Sequence, residues 1–404
     1  MVFKMQYCTK CVYPIVSATP LSLNSSGICT GCELSQTKHD IDWSLRWKQL
    51  VELTEQYKDK NYYDILIPVS GGKDSYFQTH IAVEKLKLKP LLVTYHGNNY
   101  SKKGEENLNN MRRVFDCDHV IFKPSEKVLI KLNRLGFKID GDMNWHNHCG
   151  IFTYPIQLAC KFNIPLILWG EHGFMDIGGM YSYDDYVEFT AKHRKEHSLH
   201  GLDWYDFVKV TSKYSPLISD NEILTEKDIS WAKYPNDNEI IKNKVRGIYL
   251  SNYVNWDGNK NASLMKELYG WQESNIEYER TYRSISNLDD IHENGIHDYM
   301  KFIKFGYGRT TDHASKDIRA GKMSREEGIY EVMKRDHIKS KDLNRWLSYV
   351  NMTENDFDKI ADTFRDKRVW FIKDGYWYKN NLDGSVTNYG TVKLPKEKQK
   401  DYLR

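Results

Sequence analysis

The chain has 404 residues and a mass of 47.7 kDa, and its 58 Lys and Arg against 55 Asp and Glu leave a net charge of +3. That balance offers no basic surface to draw in a polyanion, so nucleic acid is not an expected partner. A hydrophobic fraction of 40% excludes whole-chain disorder. No apolar run approaches the roughly 18 residues of a membrane helix, and the opening MVFKMQYCTKC has no signal-peptide core. A cytoplasmic protein without a membrane partner is expected.

Four of the seven cysteines form two C-x2-C pairs, Cys8/Cys11 and Cys29/Cys32, with 17 residues between the pairs. Each such turn aims two thiolates at one point, and two turns complete a closed tetrahedral zinc site. A site of four thiolates has no open position for water, so the expected zinc is structural. Gly27-Ile28-Cys29-Thr30-Gly31 has the G-x-C-x-G form of a glutaminase nucleophile elbow. An elbow needs a buried strand before it and a helix after it. Here Asn24-Ser25-Ser26 precedes it and the second knuckle cysteine follows, so the chain is read as having no glutaminase of its own. Cys117, Cys149 and Cys160 read as small buried hydrophobes.

Asp64 to Val69 (DILIPV) reads as a strand buried on both faces. Ser70-Gly71-Gly72-Lys73-Asp74-Ser75 follows at once, and then a helical stripe through Phe77, Ile81 and Leu88. Strand, glycine loop and helix together present backbone N–H groups to a phosphate. A Walker A loop would need Gly at 67 and Ser or Thr at 74, where the chain has Ile67 and Asp74. Further strands are expected at Pro90 to Tyr95, His119 to Phe122 and Pro165 to Trp169, with helices near 102–115, 125–135 and 149–162. This alternation predicts a doubly wound parallel α/β sheet whose ligands bind beyond the strand C-termini. The loop 70–75, the segment Thr94-Tyr95-His96-Gly97-Asn98-Asn99 and Gly170-Glu171-His172 then converge on one mouth.

The S-G-G-K-D-S run after a buried strand resembles the pyrophosphate loop of the PP-loop ATP pyrophosphatases, the adenine nucleotide alpha hydrolase-like fold. The resemblance implies ATP bound by Ser70, Gly71, Gly72, Lys73, Asp74, Ser75, Thr94, Gly170 and Glu171. It also implies magnesium, with Asp74 and Glu171 as candidate ligands. More narrowly, the chain is similar to the N-acetyl sugar amidotransferases of bacterial surface-polysaccharide (lipopolysaccharide O-antigen) and nonulosonic-acid pathways. The matching stretches are the knuckles, the loop, Trp169-Gly170-Glu171, Val245 to Leu250, Tyr253 to Asp257, and Lys304-Phe305-Gly306-Tyr307-Gly308-Arg309-Thr310-Thr311-Asp312-His313 continuing to Glu327. They extend over most of residues 1–340. Membership implies ATP-dependent conversion of an acetamido to an acetamidino group, with a separate glutaminase subunit supplying ammonia. Lys73, Asp74 and Arg309 are the expected catalytic residues, and His148, Arg246, Trp256, Arg309, Asp312 and His313 the expected substrate contacts. A free sugar, a nucleotide sugar and a homodimer all remain open.

For Asp312 a helix-capping role competes with a role in the site. Trp145-His146-Asn147-His148-Cys149 suggests a second metal by residue type, but on one short segment it lacks a remote partner, so it is read as site lining without metal. The stretch from Tyr181 to Phe207 mixes Tyr183, Tyr186, His193, Arg194, Lys195, His197, His200, Trp204 and Tyr205, and reads either as a sugar- or nucleotide-binding face or as a solvated helix. Trp370 to Tyr378 reads as a hairpin turning at Asp374-Gly375. The expected organisation is a zinc-knuckle segment at 1–45, a PP-loop domain at 46–225 and a mostly helical substrate and partner region at 226–404. The rival reading is a PP-loop tRNA sulfurtransferase, which combines knuckles with this loop but also needs a reactive cysteine pair; Cys149 is one candidate, and no cysteine follows Cys160.

Overall fold

Runs too short and too apolar for surface helices set the centre of the molecule. The computed structural model describes residues 5–97, 99–286 and 288–404. Helix α1 (Thr30–Thr37) closes the cysteine segment, and α2 (Trp43–Glu55) starts at Asp42, whose carboxylate accepts from the Ser44 and Leu45 amides. Strand β1 (Ile65–Pro68) leads through the glycine loop into α3 (Lys73–His80), which continues as a π-helical turn over Ile81–Lys85. There follow β2 (Pro90–Tyr95), α4 (Lys102–Phe115), β3 (Asp118–Phe122), α5 (Glu126–Asp140), α6 (Trp145–Phe162), β4 (Leu166–Trp169) and α7 (Gly173–Gly178). Two strands complete the sheet, β5 (Glu188–Phe189) and β6 (Arg246–Tyr249).

The sheet order is β3-β2-β1-β4-β6-β5, parallel throughout except for the β5–β6 pair. Every residue of β2 is buried, as a strand covered by helices on both faces requires. One face packs against α2, α3 and α4 through Leu50, Tyr76, Leu108 and Met111. The other packs against α6 through Ile156, Leu158 and Ala159. Close approach of α6 to β2 depends on Gly150, where a Cβ would lie 2.4 Å from the Tyr95 ring. The sheet takes β6 from beyond residue 225, the expected edge of the α/β domain, so the fold does not break there.

Helix α8 (Gly258–Tyr269) returns to α3, and the chain then becomes helical: α9 (Glu293–Phe305), α10 (Arg309–Arg319), α11 (Arg325–Arg335), α12 (Leu343–Val350) and α13 (Glu354–Asp362). Phe137 of α5 and Met143 share a core with Ile296, Met300, Trp346 and Phe357, which fixes this region against the α/β part. The expected hairpin forms as β7 (Trp370–Lys373) and β8 (Tyr376–Asn380), with Asp374 and Gly375 both at positive φ (52° and 79°), as its two-residue turn demands. A third strand, β9 (Val386–Thr391), pairs with β8 after a turn through Gly384. Among the described residues no helix is long and apolar enough to cross a membrane.

Glu222 joins the segment before β6 to α5. Its carboxylate, 1% exposed, lies 2.6 Å from both Arg134 Nε and Lys138 Nζ. Burial acts to raise the Glu222 carboxyl, but Lys138, the Ser219 hydroxyl and Arg134 outweigh it and hold the group at about 2. The folded value lies below the unfolded one of about 4.3, so this stabilisation is complete above about pH 4.3 and fades as pH falls towards 2. Glu222→Gln should destabilise by about 3 kcal/mol at neutral pH, because two cations lose their partner. Urea denaturation should show the gap between variant and wild type narrowing as pH falls through that window; a constant gap would refute the assignment.

Candidate active site

Strand order reverses at β1, which has β2 on one side and β4 on the other, and a crevice opens beyond their C-terminal ends. It deepens into a cavity of about 1090 Å³. The glycine loop enters it from β1. Gly71 has φ +78°, and a Cβ there would sit 2.7 Å from the backbone of Leu108, so the position requires glycine twice over. Trp271 Nε1 donates to the Gly71 carbonyl at 3.1 Å, and the Ser70 amide donates to Ser75 Oγ at 2.8 Å. Ser70, Asp74 and Ser75 line the cavity. Asp74 Oδ2 meets Lys73 Nζ at 2.6 Å, whereas its Oδ1 is buried without a hydrogen-bond partner. A loop with an orphaned carboxylate oxygen and a helix N-terminus suits a metal-bound phosphate chain. Asp289 also lines this end, and burial raises its carboxyl above the ordinary range despite Ser70 and Lys73 beside it.

The cavity wall also carries titratable groups from α5, α6, α9 and α10. Asp142 Oδ1 is 2.8 Å from His297 Nδ1, and its Oδ2 is 3.5 Å from His148 Nδ1. Asp140 pairs with His200 at 2.7 Å, and Lys304 approaches it at 3.8 Å. Arg309 Nη2 lies 2.9 Å from Asp298, which also holds Arg280 at 2.6 Å and is 1% exposed. Lys301 Nζ meets Asp312 at 2.5 Å. Burial opposes the Lys301 charge, but Asp312 and Tyr307 outweigh it and keep the ammonium above its usual range. An aromatic side wall includes Phe152, Trp169 and Tyr249 with His193, whose pKa burial lowers to about 4.

The cysteine segment forms part of the same wall through Ala18, Thr19 and Pro20. Cys8 and Cys32 have their sulfurs 3.9 Å apart, and Cys11 and Cys29 3.6 Å apart. Four thiolates at about 2.3 Å from one zinc stand about 3.8 Å from each other, so the set fits a structural zinc and no disulfide. Amides of Lys10, Cys11 and Cys29 donate to Cys8 Sγ at 3.3–3.4 Å, the knuckle arrangement that neutralises thiolate charge. Arg319 of α10 reaches Cys29 Sγ at 3.4 Å. Tyr13, just past Cys11, donates its hydroxyl to Asp312. Knuckle, α10 and cavity are therefore one packed unit.

Several expected site residues lie elsewhere. Thr94 Oγ1 donates to the Val69 carbonyl at 2.7 Å and meets His119, which ties it into the sheet and away from the cavity wall; Tyr95 of the same segment does line it. Asn98 lies outside the described residues. Arg246 sits at the start of β6, the end remote from the crevice, in a bidentate pair with Glu188 at 2.6–3.0 Å. Trp256 is buried edge-on against Phe77. His313 is buried, with Nδ1 2.6 Å from Thr281 Oγ1, and is off the wall. Glu171 lines the cavity but its carboxylate holds Lys316 at 3.0 Å, so a cation already competes for it. Ser70, Asp74, Ser75 and Gly170 line the cavity, whereas Gly71, Gly72 and Lys73 are not among its lining residues.

Asp312 is not the cap of α10. That part falls to Asp336, which accepts from the Thr310 amide at 2.9 Å and the Thr311 hydroxyl at 2.6 Å. His193, His197 and His200 of the mixed aromatic stretch face the cavity, whereas Arg194 is buried against Asp203 at 3.0 Å. Cys149 is buried off the wall, where burial pushes its thiol up despite the adjoining Arg194. Sequence reasoning missed Asp142, Asp289, His297 and Lys301. Only the Asp289-Asp290 doublet and the Asp140-Gly141-Asp142 run ahead of the histidines offered a local signal.

Residues 277–382, which supply Asp289, His297, Lys301, Lys304, Arg309 and Asp312, match the family described as LPS biosynthesis protein WbpG-like, C-terminal domain. A 115-residue stretch, 28% of the chain, is 27% identical to an uncharacterized protein of Methanocaldococcus jannaschii, and the chain spans about two fifths (41%) of that curated relative's length. Among solved structures, NMN synthetase from Francisella tularensis aligns with 57% of this chain and 97% of that chain, at 11% sequence identity and a TM-score of 0.28.

Elemental analysis should find one zinc per chain bound at the cysteines. Cys32→Ser should remove it and lower the melting midpoint by about 10 °C or more, since closed thiolate sites contribute folding free energy. A metal-free variant that melts with the wild type would refute a structural role.

Proposed function

We propose that the protein is an ATP-dependent, AMP-forming amidotransferase that converts the N-acetyl group of a bacterial surface-polysaccharide sugar to an acetamidino group. The observation that carries this reading is that a phosphate-type loop and the segment resembling an LPS biosynthesis domain wall one cavity. ATP would lie across the crevice with its β- and γ-phosphates at the amides of 70–75 and the α-phosphate facing the interior. Magnesium, held by Asp74 and neighbouring carboxylates, would neutralise the phosphate chain.

An amide is a weak electrophile, so its oxygen must first be activated. The acetamido oxygen attacks the α-phosphorus and pyrophosphate departs, giving an O-adenylyl imidate. Ammonia then adds at the imidate carbon, loses a proton, and AMP leaves with the former amide oxygen. Substrate oxygen is the first nucleophile, so the protein supplies positioning and charge rather than a nucleophilic side chain. Lys73 sits beside Asp74 at the helix start, where pyrophosphate would depart. Lys301, Arg309 and Asp312, all on the cavity wall, would grip the acceptor sugar. With Cys29 committed to the knuckle cluster, ammonia would come from a separate glutaminase subunit.

Purified protein given ATP, magnesium, ammonium and an N-acetyl sugar should release AMP and pyrophosphate and yield an amidine by mass spectrometry. Asp74→Asn and Lys73→Ala should each lower turnover by about 100-fold or more. ADP and orthophosphate as products would exclude the reaction. Glutamine should not replace ammonium until a glutaminase is added; efficient glutamine use by the chain alone would show Cys29 to be a nucleophile after all.

A further inference from the structure

The histidine run at the start of α6 lacks a metal partner in its own segment, but the fold brings partners from elsewhere. Asp142 lies in the α5–α6 connection, His148 in the first turns of α6, and His297 in α9, separated from Asp142 by 155 positions. The three donor atoms all lie within 4.8 Å of one another. Separations of 2.8 and 3.5 Å from the carboxylate to the two Nδ1 atoms straddle the roughly 3.4 Å between neighbouring donors of a tetrahedral N/O site. The rings meet edge to face with centroids 5.4 Å apart, so neither blocks the other's approach to a shared point. Asp142 is held from behind, its Oδ1 accepting from the Asn144 amide at 2.9 Å with the side chain 3% exposed. The imidazoles, 28% and 21% exposed, open onto the cavity.

We propose that Asp142, His148 and His297 bind a divalent first-row transition metal on the cavity wall, with open coordination positions facing the cavity. Two imidazoles and one carboxylate favour zinc, cobalt, nickel or iron over magnesium or calcium, which prefer oxygen ligands alone. The bound ion keeps a net charge of about +1 after its single carboxylate, and its open positions take a water or a hydroxyl or carboxylate oxygen of the substrate. The neighbouring Asp140–His200 pair shares Asp142 as a possible third ligand, but Lys304 already approaches Asp140 at 3.8 Å, which favours the His148/His297 side. This site stands independently of the amidotransferase reading, because it rests on donor geometry and not on the identity of the acceptor.

Titrating the protein, its cysteine-bound zinc in place, with cobalt(II) tests the site without using activity. Wild type should take up one further equivalent showing d–d absorption and no thiolate-to-cobalt charge-transfer band. His297→Gln should weaken that uptake by more than about 100-fold, beyond the usual effect of losing a group that only orients a ligand. His148→Gln, on a different helix, should do the same, with zinc content and melting midpoint reporting that each variant is folded. No second equivalent in the wild type, or one of unchanged affinity in both variants, overturns the proposal and leaves Asp142 as an acceptor between two imidazoles.

Discussion

Everything at the site depends on the reversal of strand order around β1. Because β2 and β4 flank it, the connections leaving β1 and β4 pass to opposite faces, and no segment of the sheet fills the space between them. The loop 69–72 can enter that space only by a left-handed turn at Gly71, pressed against the Leu108 backbone and held by Trp271. A side chain at that glycine would have to displace α4, which is packed into the core through Leu108 and Met111. The start of α3 is therefore aimed by core packing, and polar chemistry is added to an orientation already fixed.

The second requirement is a roof, and buried charge pairs hold it. Asp298 sits between Arg280 and Arg309, Asp312 between Tyr13 and Lys301, and Asp336 caps α10. Taking charges out of water costs several kcal/mol per ion, and good pairing often does no more than recover it. Apolar residues of similar size would close α9 onto α10 as tightly. What the ionic version adds is a set of oriented cationic groups, Lys301 and Arg309, on the cavity wall.

Features with a local signature were legible in the sequence. The buried runs of β1, β2 and β4, the glycine loop, both cysteine knuckles and the Asp374-Gly375 turn all formed where periodicity or turn chemistry placed them. Strand β6 was not foreseen as a strand, because Arg246 and Gly247 interrupt its apolar pattern and its stability comes from pairing with β4. Arg246 and Trp256 lay in stretches that carried the family resemblance, yet their side chains serve an ion pair and the core. Asp142 and His297 share no local pattern, since only the packing of α9 against α5 and the α5–α6 connection brings them together. Adjacency in the chain suggested Asp312 as a cap, but Asp336, 26 residues from Thr310, took that position.

The cysteine knuckle complicates the division between structural metal and reacting site. A closed thiolate cluster takes no part in chemistry, and sequence alone suggests that losing a ligand would cost stability more than activity. Arg319 binds its sulfurs from the last turn of α10, and Arg325 donates to the Cys8 and Cys11 carbonyls from the start of α11. Tyr13 leaves the same turn to meet Asp312 in the first turn of α10. Both ends of α10 are thus tied to a segment whose geometry four sulfurs and one ion would set. Releasing that ion would leave thiolates repelling one another beside Arg319 and would free Tyr13, and Asp312 would then hold Lys301 without its opposing donor. The structural site therefore reaches the cavity wall through one tyrosine and one carboxylate, and its loss would alter the placement of Lys301 on that wall as well as stability.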